Sequence, residues 1–398
     1  MVYDMKKMFI TQEIGSLQRP LWRQKLGSGV DKPTIASALL WGERLGVKEA
    51  AELANSRGTG LLQRRKDLTQ GEKDRIIEIS TLYAIRMLEV AGLDRIFNGE
   101  QPRTEMYDFL ARYVKGIRTA GVLNAFDANY FRKGITEAEV SIIEDGKRFF
   151  ADEFKFVRRN TKRIVKPCLT GPYTMADWSY LEYYLGRLEK KGARGNEAMI
   201  RARSDATLDF ASKVLNPAVR GLAKNGATVI QIDEPGAATN EGESKLFSEA
   251  INASFKGVPR NVEKAVHLCY SDYPSLFPEL ADCVADSYLI EFTNHASPTN
   301  FRPEEVDPGT FKALKLFKEY DMRTDVGVGV IDIHSDLIET PQVVRDRILY
   351  AAKVVGDPSL IQVNPDCGLR TRRWSVAFAK LCSMTEGAAL ARAEFGGE

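Results

Sequence analysis

Short apolar runs rich in β-branched residues recur along the chain, and amphipathic stretches lie between most of them. We predict eight strands from these runs, in the segments MFITQEIG, RIFNGE, RIVKPCLTG, TVIQIDEP, AVHLC, YLIEFTN, DVGVGVID and LIQVNPDCG. Residues 205–224, 341–355 and 375–392 carry apolar side chains at helical spacing. Eight strands, each followed by a helix, predict an α/β fold of the (β/α)8 TIM-barrel type.

The length of the chain is compatible with one large barrel. It has 398 residues, of which 44% are hydrophobic, enough to bury a sizeable core. We find no internal repeat, low-complexity tract or proline-rich linker, so we expect residues 1–398 to form a single catalytic barrel domain. Residues of approximately 20–70 and 115–162 exceed what a βα unit needs, and we expect helical and hairpin insertions there that wall the cleft.

Charge and cysteine usage narrow the functional class. The net charge is +2 with acids and bases interspersed, which argues against a nucleic-acid-binding face. The sequence shows neither a signal peptide nor an apolar stretch near the roughly 20 residues that a membrane helix requires. Five cysteines at irregular spacing suit a reducing compartment, so we expect a cytoplasmic protein. Cys168, Cys283 and Cys382 are expected to be ordinary buried thiols.

Four side chains of metal-binding type follow predicted strands in the second half of the chain: His267, Cys269, Glu291 and Cys367. The carboxyl ends of barrel strands meet at one rim, so these side chains are expected to converge there. The HxC pair alone is weak evidence, but Glu291 lies in an apolar run where an unpaired carboxylate would be costly. Imidazole, thiolate and an exchangeable carboxylate together predict a catalytic zinc site that handles a soft substrate atom.

Other chemically active residues at strand ends have two interpretations each. Asp233 in IDEP fits either a helix N-cap or the binding of a substrate amine, and Glu100 is ambiguous in the same way. His334 fits a satisfied loop histidine or, as we favour, a proton relay. His295 has no evident partner and is expected to be structural. The glycines in VGVGV lie in a predicted strand, so this run is not a cofactor motif.

Taken in order, these segments resemble the catalytic barrel of the cobalamin-independent methionine synthase family. The resemblance spans nearly the whole sequence and is carried by IGS from Ile14, GEQPR from Gly99, TGPYTMADWSY from Thr170, IQIDEP, HLCY, Glu291, GVIDIHS ending at Ser335, and NPDCGLRTRRW. It implies that His267, Cys269, Glu291 and Cys367 bind catalytic Zn²⁺.

The same resemblance implies roles for the remaining candidates. Glu100 and Asp233 would hold the amino group of L-homocysteine, and His334 would be the acid/base histidine. Ile14, Gly15 and Ser16 would receive the substrate carboxylate, and Trp178 would lie near the methyl-donor pocket.

The chain has room for only the catalytic half of the long folate-dependent members of that family. The methyl donor is therefore expected to be a methylcorrinoid, free or on a carrier protein, or a methyl-tetrahydropterin. The alternative is another zinc-dependent thiol alkyltransferase, resembling the epoxyalkane:coenzyme M transferases. Two carboxylates, Glu100 and Asp233, would repel a sulfonate thiol and favour an amino-acid thiol. A non-catalytic zinc barrel that serves as a binding module is the third hypothesis.

Overall fold

Short parallel strands alternate with helices along most of the chain in the computed structural model, which describes residues 8–64, 68–125, 128–293, 297–301 and 312–395. The strands are β1 (Ile10–Thr11), β2 (Arg95–Ile96), β3 (Val114–Lys115), β4 (Ile117–Ala125), β5 (Ala128–Ile135), β6 (Ser141–Ile142), β7 (Ile164–Val165), β8 (Cys168–Thr170), β9 (Ser179–Tyr180), β10 (Val229–Asp233), β11 (Glu263–Leu268), β12 (Ser287–Ile290), β13 (Asp325–Gly329) and β14 (Ile361–Asn364).

The helices are α1 (Leu21–Gln24), α2 (Lys32–Leu45), α3 (Ala50–Leu53), α4 (Gln70–Val90), α5 (Asp108–Ala111), α6 (Glu144–Asn160), α7 (Pro172–Asp177), α8 (Glu182–Glu189), α9 (Gly195–Asp209), α10 (Asn216–Lys224), α11 (Ser244–Ser254), α12 (Lys312–Glu319), α13 (Pro341–Val355) and α14 (Trp374–Glu394). A π-helical turn, Phe210–Leu215, joins α9 to α10. Short 3₁₀ turns cover Tyr273–Leu276, Glu279–Asp282 and Pro358–Leu360. Among the described helices, none combines the length and the apolar character needed to cross a membrane.

Local sequence explains where several long helices begin and end. Thr69 and Glu72 form a reciprocal capping box at the start of α4. The Asp31 side chain accepts a hydrogen bond from the first turn of α2, and the Thr340 hydroxyl does the same for α13. Left-handed Gly46 ends α2, because a residue without Cβ adopts that conformation at little cost. These caps fix where α2, α4 and α13 begin and where α2 ends.

Seven strands form one parallel sheet in the order β1, β14, β13, β12, β11, β10 and β8. The register aligns Asp233 on β10 with His267 on β11, and Leu268 on β11 with Ile290 on β12. Every residue of β10, β12, β13 and β14 is buried, as expected of parallel strands covered by helices. The α/β fold is therefore confirmed, and its curled parallel sheet is consistent with a TIM-like barrel.

A second, two-stranded parallel sheet of β2 and β7 has contacts towards both edges of the first. A bridge between Gln12 and Arg95 connects β2 to the residue that follows β1. The backbone N–H of Lys166 donates to the carbonyl of Ile96 at 2.9 Å, and the chain then continues into β8.

Each of the eight predicted strand segments overlaps an observed strand, although the bounds differ. RIVKPCLTG was expected to be continuous, but the structure divides it into β7 and β8, with Lys166 and Pro167 between them. Proline has no backbone N–H to donate to a neighbouring strand, which accounts for the break. The strand predicted as AVHLC begins earlier, at Glu263.

The two expected insertion ranges contain helices and a hairpin. Helices α1, α2 and α3 lie within residues 20–70. Antiparallel β4 and β5 form the hairpin of the second range, and α6 ends that range. His295 lies outside the described residues.

Candidate active site

A cavity of about 100 Å³ lies where the carboxyl ends of the parallel strands meet. Eleven residues were named as site candidates from the sequence, and most of them line this cavity together. The lining members are Ile14, Gly15, Ser16, Glu100, Asp233, His267, Cys269 and Cys367. Residues far apart in sequence are therefore brought to one place by the order of the strands.

Three soft ligands converge at one side of the cavity. One ligand atom from each of His267, Cys269 and Cys367 lies within 4.8 Å of the others. The Nε2 atom of His267 is 3.5 Å from Cys367 Sγ, which in turn is 3.6 Å from Cys269 Sγ. His267 Nδ1 lies 2.9 Å from the carbonyl oxygen of Leu289. When Nδ1 carries the proton and donates to that carbonyl, the Nε2 lone pair faces the two thiols.

The ionisation of these groups favours metal binding. All five cysteines are free thiols. The hydrogen bond with Cys269, followed by the one with His267, holds the pKa of Cys367 well below its usual value. The same Cys269–Cys367 bond, together with burial, raises the pKa of Cys269 well above its usual value. Of the two thiols, Cys367 therefore loses its proton more readily, and the thiolate is the form that binds a soft metal.

Glu291 follows β12 beside this group, but it is not one of the three side chains whose ligand atoms lie within 4.8 Å of one another. Its Oε1 atom accepts the backbone N–H of Tyr270 at 2.7 Å, whereas its Oε2 atom is buried without a hydrogen-bond partner. Burial and then the neighbouring Asp366 and Cys367 raise the pKa of this carboxyl to about 8. Imidazole, two thiols and a carboxyl with an unpartnered oxygen together fit Zn²⁺.

Asp366 fixes the strand ends that carry two of these candidates. Its Oδ1 atom accepts the backbone N–H groups of Phe292 at 2.9 Å and Thr293 at 3.0 Å, while its Oδ2 atom accepts the Thr293 hydroxyl. Asp366 is thus tied to the segment just after Glu291 and precedes Cys367 in the chain. Burial raises its pKa to about 6.

Tyr270 connects the soft-ligand group to His334 and was not identified from the sequence. Its hydroxyl lies 3.1 Å from His334 Nε2, and its backbone N–H binds Glu291. Its φ of 52° is unusual for a residue with a side chain, and such strain is concentrated at functional sites. His334 is half-buried and is held by a 2.7 Å hydrogen bond from its own N–H to Asp332. It is therefore one hydrogen bond away from the cavity lining.

Two further carboxyl groups, those of Glu100 and Asp233, line the same cavity. Glu100 has a φ of 54°, and its backbone N–H donates to the Asn98 side chain at 2.9 Å. Burial raises the pKa of Asp233 to about 6. Glu100, Cys168 and Asp233 form a second group whose ligand atoms lie within 4.8 Å of one another. Cys168 was expected to be an ordinary thiol; it is buried, with its sulfur 3.7 Å from Glu100 Oε1.

The helix-cap interpretation of Asp233 is wrong. The next helix, α11, begins only at Ser244, and the neighbouring Glu234 serves a helix terminus instead. Glu234 accepts the backbone N–H groups of Tyr173 at 2.9 Å and Thr174 at 2.8 Å, in the first turn of α7. Asp233 is thereby left to face the cavity.

Ile14, Gly15 and Ser16 come to the cavity because the chain after β1 lies against the chain after β14. A parallel bridge pairs Leu17 with Leu369. A Cβ atom on Gly368 would overlap the Ser16 hydroxyl, so only glycine permits this approach. Close packing of these two segments therefore places backbone groups of residues 14–16 beside Cys367.

The remaining candidate, Trp178, is not among the described residues that line the cavity. It ends α7, is buried, and packs edge-on against Tyr107 with ring centroids 6.4 Å apart. Arg370 does line the cavity, and it donates to the Thr104 carbonyl at 2.8 Å. The basic run 370–373 gave the only signal for it in the sequence.

The chain is similar to known proteins of one family. Residues 54–390 match the family described as "Cobalamin-independent synthase, Catalytic domain". A methionine synthase of Thermoplasma acidophilum is 34% identical over 322 residues, which cover 78% of this chain and 87% of the relative. One from Saccharolobus solfataricus is 29% identical over 387 residues, covering 96% and 95%.

Among solved structures, a B12-independent methionine synthase from Shewanella sp. W3-18-1 in complex with selenomethionine has a similar fold. Its TM-score is 0.71 at 22% identity, with 98% of this chain and 99% of that chain covered. The family match extends over most of the residues that form the cavity, and the resemblance seen in the sequence is confirmed. The chain thus belongs to the cobalamin-independent methionine synthase family and is an enzyme of the methyltransferase class.

Proposed function

We propose that this protein transfers a methyl group to the thiol of L-homocysteine and so forms L-methionine. The observation that carries the proposal is one small cavity lined both by a soft-ligand group and by two carboxyl groups. A thiol and an α-amino group on one substrate would match these two kinds of group. The methionine synthases that the chain resembles support the same acceptor.

We further propose that the eight strand segments close into one (β/α)8 barrel and that residues 1–398 form a single catalytic domain. In this arrangement β2 and the divided strand of β7 and β8 fill the gap between β1 and β10. The Gln12–Arg95 bridge and the Lys166–Ile96 hydrogen bond support this closure. The insertions at approximately 20–70 and 115–162 would then wall the cleft.

His267, Cys269 and Cys367 would hold Zn²⁺, with Glu291 as the fourth and most readily displaced ligand. When bound, zinc would lower the pKa of the substrate thiol and orient its sulfur in the cavity. Leu289 fixes His267 through its carbonyl, and Asp366 holds the strand end that carries Glu291. Such outer contacts fix ligand orientation before the metal binds.

The other side of the cavity would bind the amino-acid end of the substrate. Glu100 and Asp233 would accept hydrogen bonds from the ammonium group, and backbone N–H groups of Ile14, Gly15 and Ser16 would receive the carboxylate. Ionised carboxyl groups attract an ammonium and repel a sulfonate, so coenzyme M is the poorer substrate. Binding at both ends would place the sulfur for in-line attack.

The chemical step exchanges one bond for another. A lone pair of the sulfur forms the S–CH₃ bond while the bond between the methyl group and its carrier breaks, and the thiol proton is released. His334, linked to the cavity by the Tyr270 hydroxyl, would accept or return that proton. The donor would be a methylcorrinoid or a methyl-tetrahydropterin approaching from the side of Trp178, and the reaction would take place in the cytoplasm.

The test supplies the zinc-loaded protein with L-homocysteine and, in separate reactions, methylcobalamin or methyl-tetrahydropterin. Formation of L-methionine is followed by chromatography. We expect one of the two donors to give methionine, and we expect His267→Ala to form none. Arg118→Ala is the control, because Arg118 is exposed and is not among the residues that line the cavity. Alkylation of coenzyme M without methionine formation would instead support the alkyltransferase hypothesis. Zinc binding without binding of any thiol would support the non-catalytic module.

A further inference from the structure

A buried polar layer lies directly below the cavity and contains a glutamine that touches two of its walls. Gln231 lies on β10 two residues before Asp233, so both side chains leave the strand on the same side. Its Nε2 atom donates to Asp233 Oδ1 and to the backbone carbonyl of Ile14, both at 2.5 Å. Gln231 thus joins the carboxyl side of the cavity to the segment that would receive the substrate carboxylate.

Lys166 determines which way the Gln231 amide faces. The Lys166 ammonium donates to Gln231 Oε1, and both side chains are fully buried. An ammonium group can only donate hydrogen bonds, so the amide oxygen has to face it. The NH₂ end must then face Ile14 and Asp233, where two acceptors are present. The amide is therefore held at both ends and cannot rotate without losing these bonds.

Gln231 donates the hydrogen bond that orients the Asp233 carboxylate. An Asp side chain has several accessible orientations, and a hydrogen bond to one of its oxygens restricts them. With Oδ1 occupied by Gln231, Oδ2 is the oxygen left to face the cavity. Ordering this group before the substrate binds reduces the entropy lost on binding.

We propose that Gln231 is a positioning residue that, held by Lys166, aims the Asp233 carboxylate at the substrate ammonium group and thereby sets the preference for an α-amino thiol. The inference rests on the proposed function and refines it. Gln231 itself does not line the cavity among the described residues, and it acts through Asp233.

The test measures binding, by titration calorimetry, of three thiols to the zinc-loaded protein. These are L-homocysteine, 4-mercaptobutanoate, which lacks the amino group, and 3-mercaptopropan-1-amine, which lacks the carboxylate. Gln231→Glu keeps the size and the acceptor for Lys166 but, when ionised, cannot donate to Asp233. Gln231→Met keeps the length without adding charge, and serves if the first variant does not fold.

We expect both variants to bind L-homocysteine and 3-mercaptopropan-1-amine on the order of tenfold or more weakly, as for the loss of a hydrogen bond to a charged group. Affinity for 4-mercaptobutanoate should fall less than that for the two amines, since that ligand has no ammonium group to bind and depends on Gln231 only through the Ile14 segment. Gln362→Glu is the matched control, because Gln362 is also buried in the barrel and donates to a carboxylate, Asp325, at 2.8 Å. That variant should leave the ratio of the three affinities unchanged.

Two results would overturn the inference. If Gln231→Glu or Gln231→Met weakens the binding of all three thiols equally, the role of Gln231 is purely structural. If the affinities do not change, Gln231 has no role in binding these thiols. One further result tests the proposed function itself. Wild-type protein that does not prefer L-homocysteine over 4-mercaptobutanoate would contradict the proposed function, and the inference would fall with it.

Discussion

The Glu291 carboxyl is buried beside two thiols, and only one of its oxygens has a hydrogen-bond partner. Its pKa in the folded chain is raised to about 8, above the ordinary value of a glutamate. Folding of the metal-free chain therefore takes up a proton in this window, and stability falls as the pH rises from the ordinary value towards 8. A cation on the free oxygen would remove this penalty.

Glu291→Gln is accordingly expected to have opposite effects with and without zinc. At pH 8 the metal-free variant should be more stable than metal-free wild type by roughly 1–3 kcal/mol, because no charge is buried. Added zinc should then stabilise wild type more than the variant. Thermal unfolding of wild type and variant, with chelator and with zinc, measures both effects. If added zinc raises the unfolding temperatures of the two proteins equally, Glu291 does not contact the metal.

Asp366 permits a comparison of two substitutions at one position. Asp366→Ala removes acceptors for Phe292 N–H, Thr293 N–H and the Thr293 hydroxyl, so the end of β12 should lose its alignment. We expect zinc affinity to fall by roughly 10–100-fold, as for other groups that orient metal ligands. Asp366→Asn keeps one carbonyl oxygen for the two N–H groups and should remain near wild type. A competition titration with a chromophoric chelator decides between them.

At the scale of elements, β13 must approach the segment that follows β14 very closely. A Cβ atom on Gly329 would overlap Asp366 Oδ1 and lie 2.9 Å from the Ile290 carbonyl oxygen. Gly329→Ala should therefore cost about 1–3 kcal/mol of unfolding free energy, typical of overpacking, and should also lower zinc affinity through Asp366. Gly221→Ala in α10 is the control, since a Cβ there meets no atom within 4 Å. Denaturant unfolding should show the control to be neutral or slightly stabilising.

The strands were predictable because each is a short apolar run whose end carries a polar residue. The four metal-type side chains and the pair of Glu100 and Asp233 could be identified for the same reason, since barrel topology brings strand ends together. What the sequence does not specify is which side chain contacts which. Glu234, adjacent to Asp233, turned out to be the helix cap, and that choice depends on where α7 packs.

Residues below the cavity were harder to predict than those lining it. Glu13, Lys166 and Gln231 are buried polar residues within the predicted strand segments, which is a signal of a buried network but gives no partner. Lys166 contacts Gln231 on the neighbouring β10, and Gln231 also donates to the Ile14 carbonyl; only side-chain geometry decides these contacts. The division of RIVKPCLTG at Pro167 had a local signal, because a proline cannot donate within a sheet.

Several buried acids lie in the segments that form the cavity or contact it. Burial is the first cause of a raised pKa at each of Glu13, Asp233, Glu234, Glu291 and Asp366. A carboxyl with a raised folded-state pKa binds more protons in the native than in the unfolded chain, so stability declines as the pH rises. These buried carboxyls therefore lower the stability of the fold at higher pH, a cost that is common at active sites.

Glu13 allows the effect of a buried carboxyl on stability to be measured apart from metal binding, because it is not a candidate metal ligand. Its pKa is raised to about 8, first by burial, while Lys166 acts in the opposite direction. Glu13→Gln should therefore gain stability relative to wild type as the pH is raised from 5 to 8, by more than ~1.4 kcal/mol, the value of one pKa unit. Urea unfolding of the metal-free proteins measures the difference. Exposed Glu319→Gln is the control, and a difference that stays flat with pH would contradict the expectation.

The most direct test of the central claim, that a zinc ion held by this cavity receives the substrate thiol, is X-ray absorption at the zinc edge with and without L-homocysteine. Without substrate, two sulfur ligands are expected, from Cys269 and Cys367, at about 2.3 Å. With L-homocysteine we predict a third sulfur at a similar distance and one fewer light-atom ligand, as Glu291 leaves. A sulfur count that does not change on saturation with L-homocysteine would contradict the account.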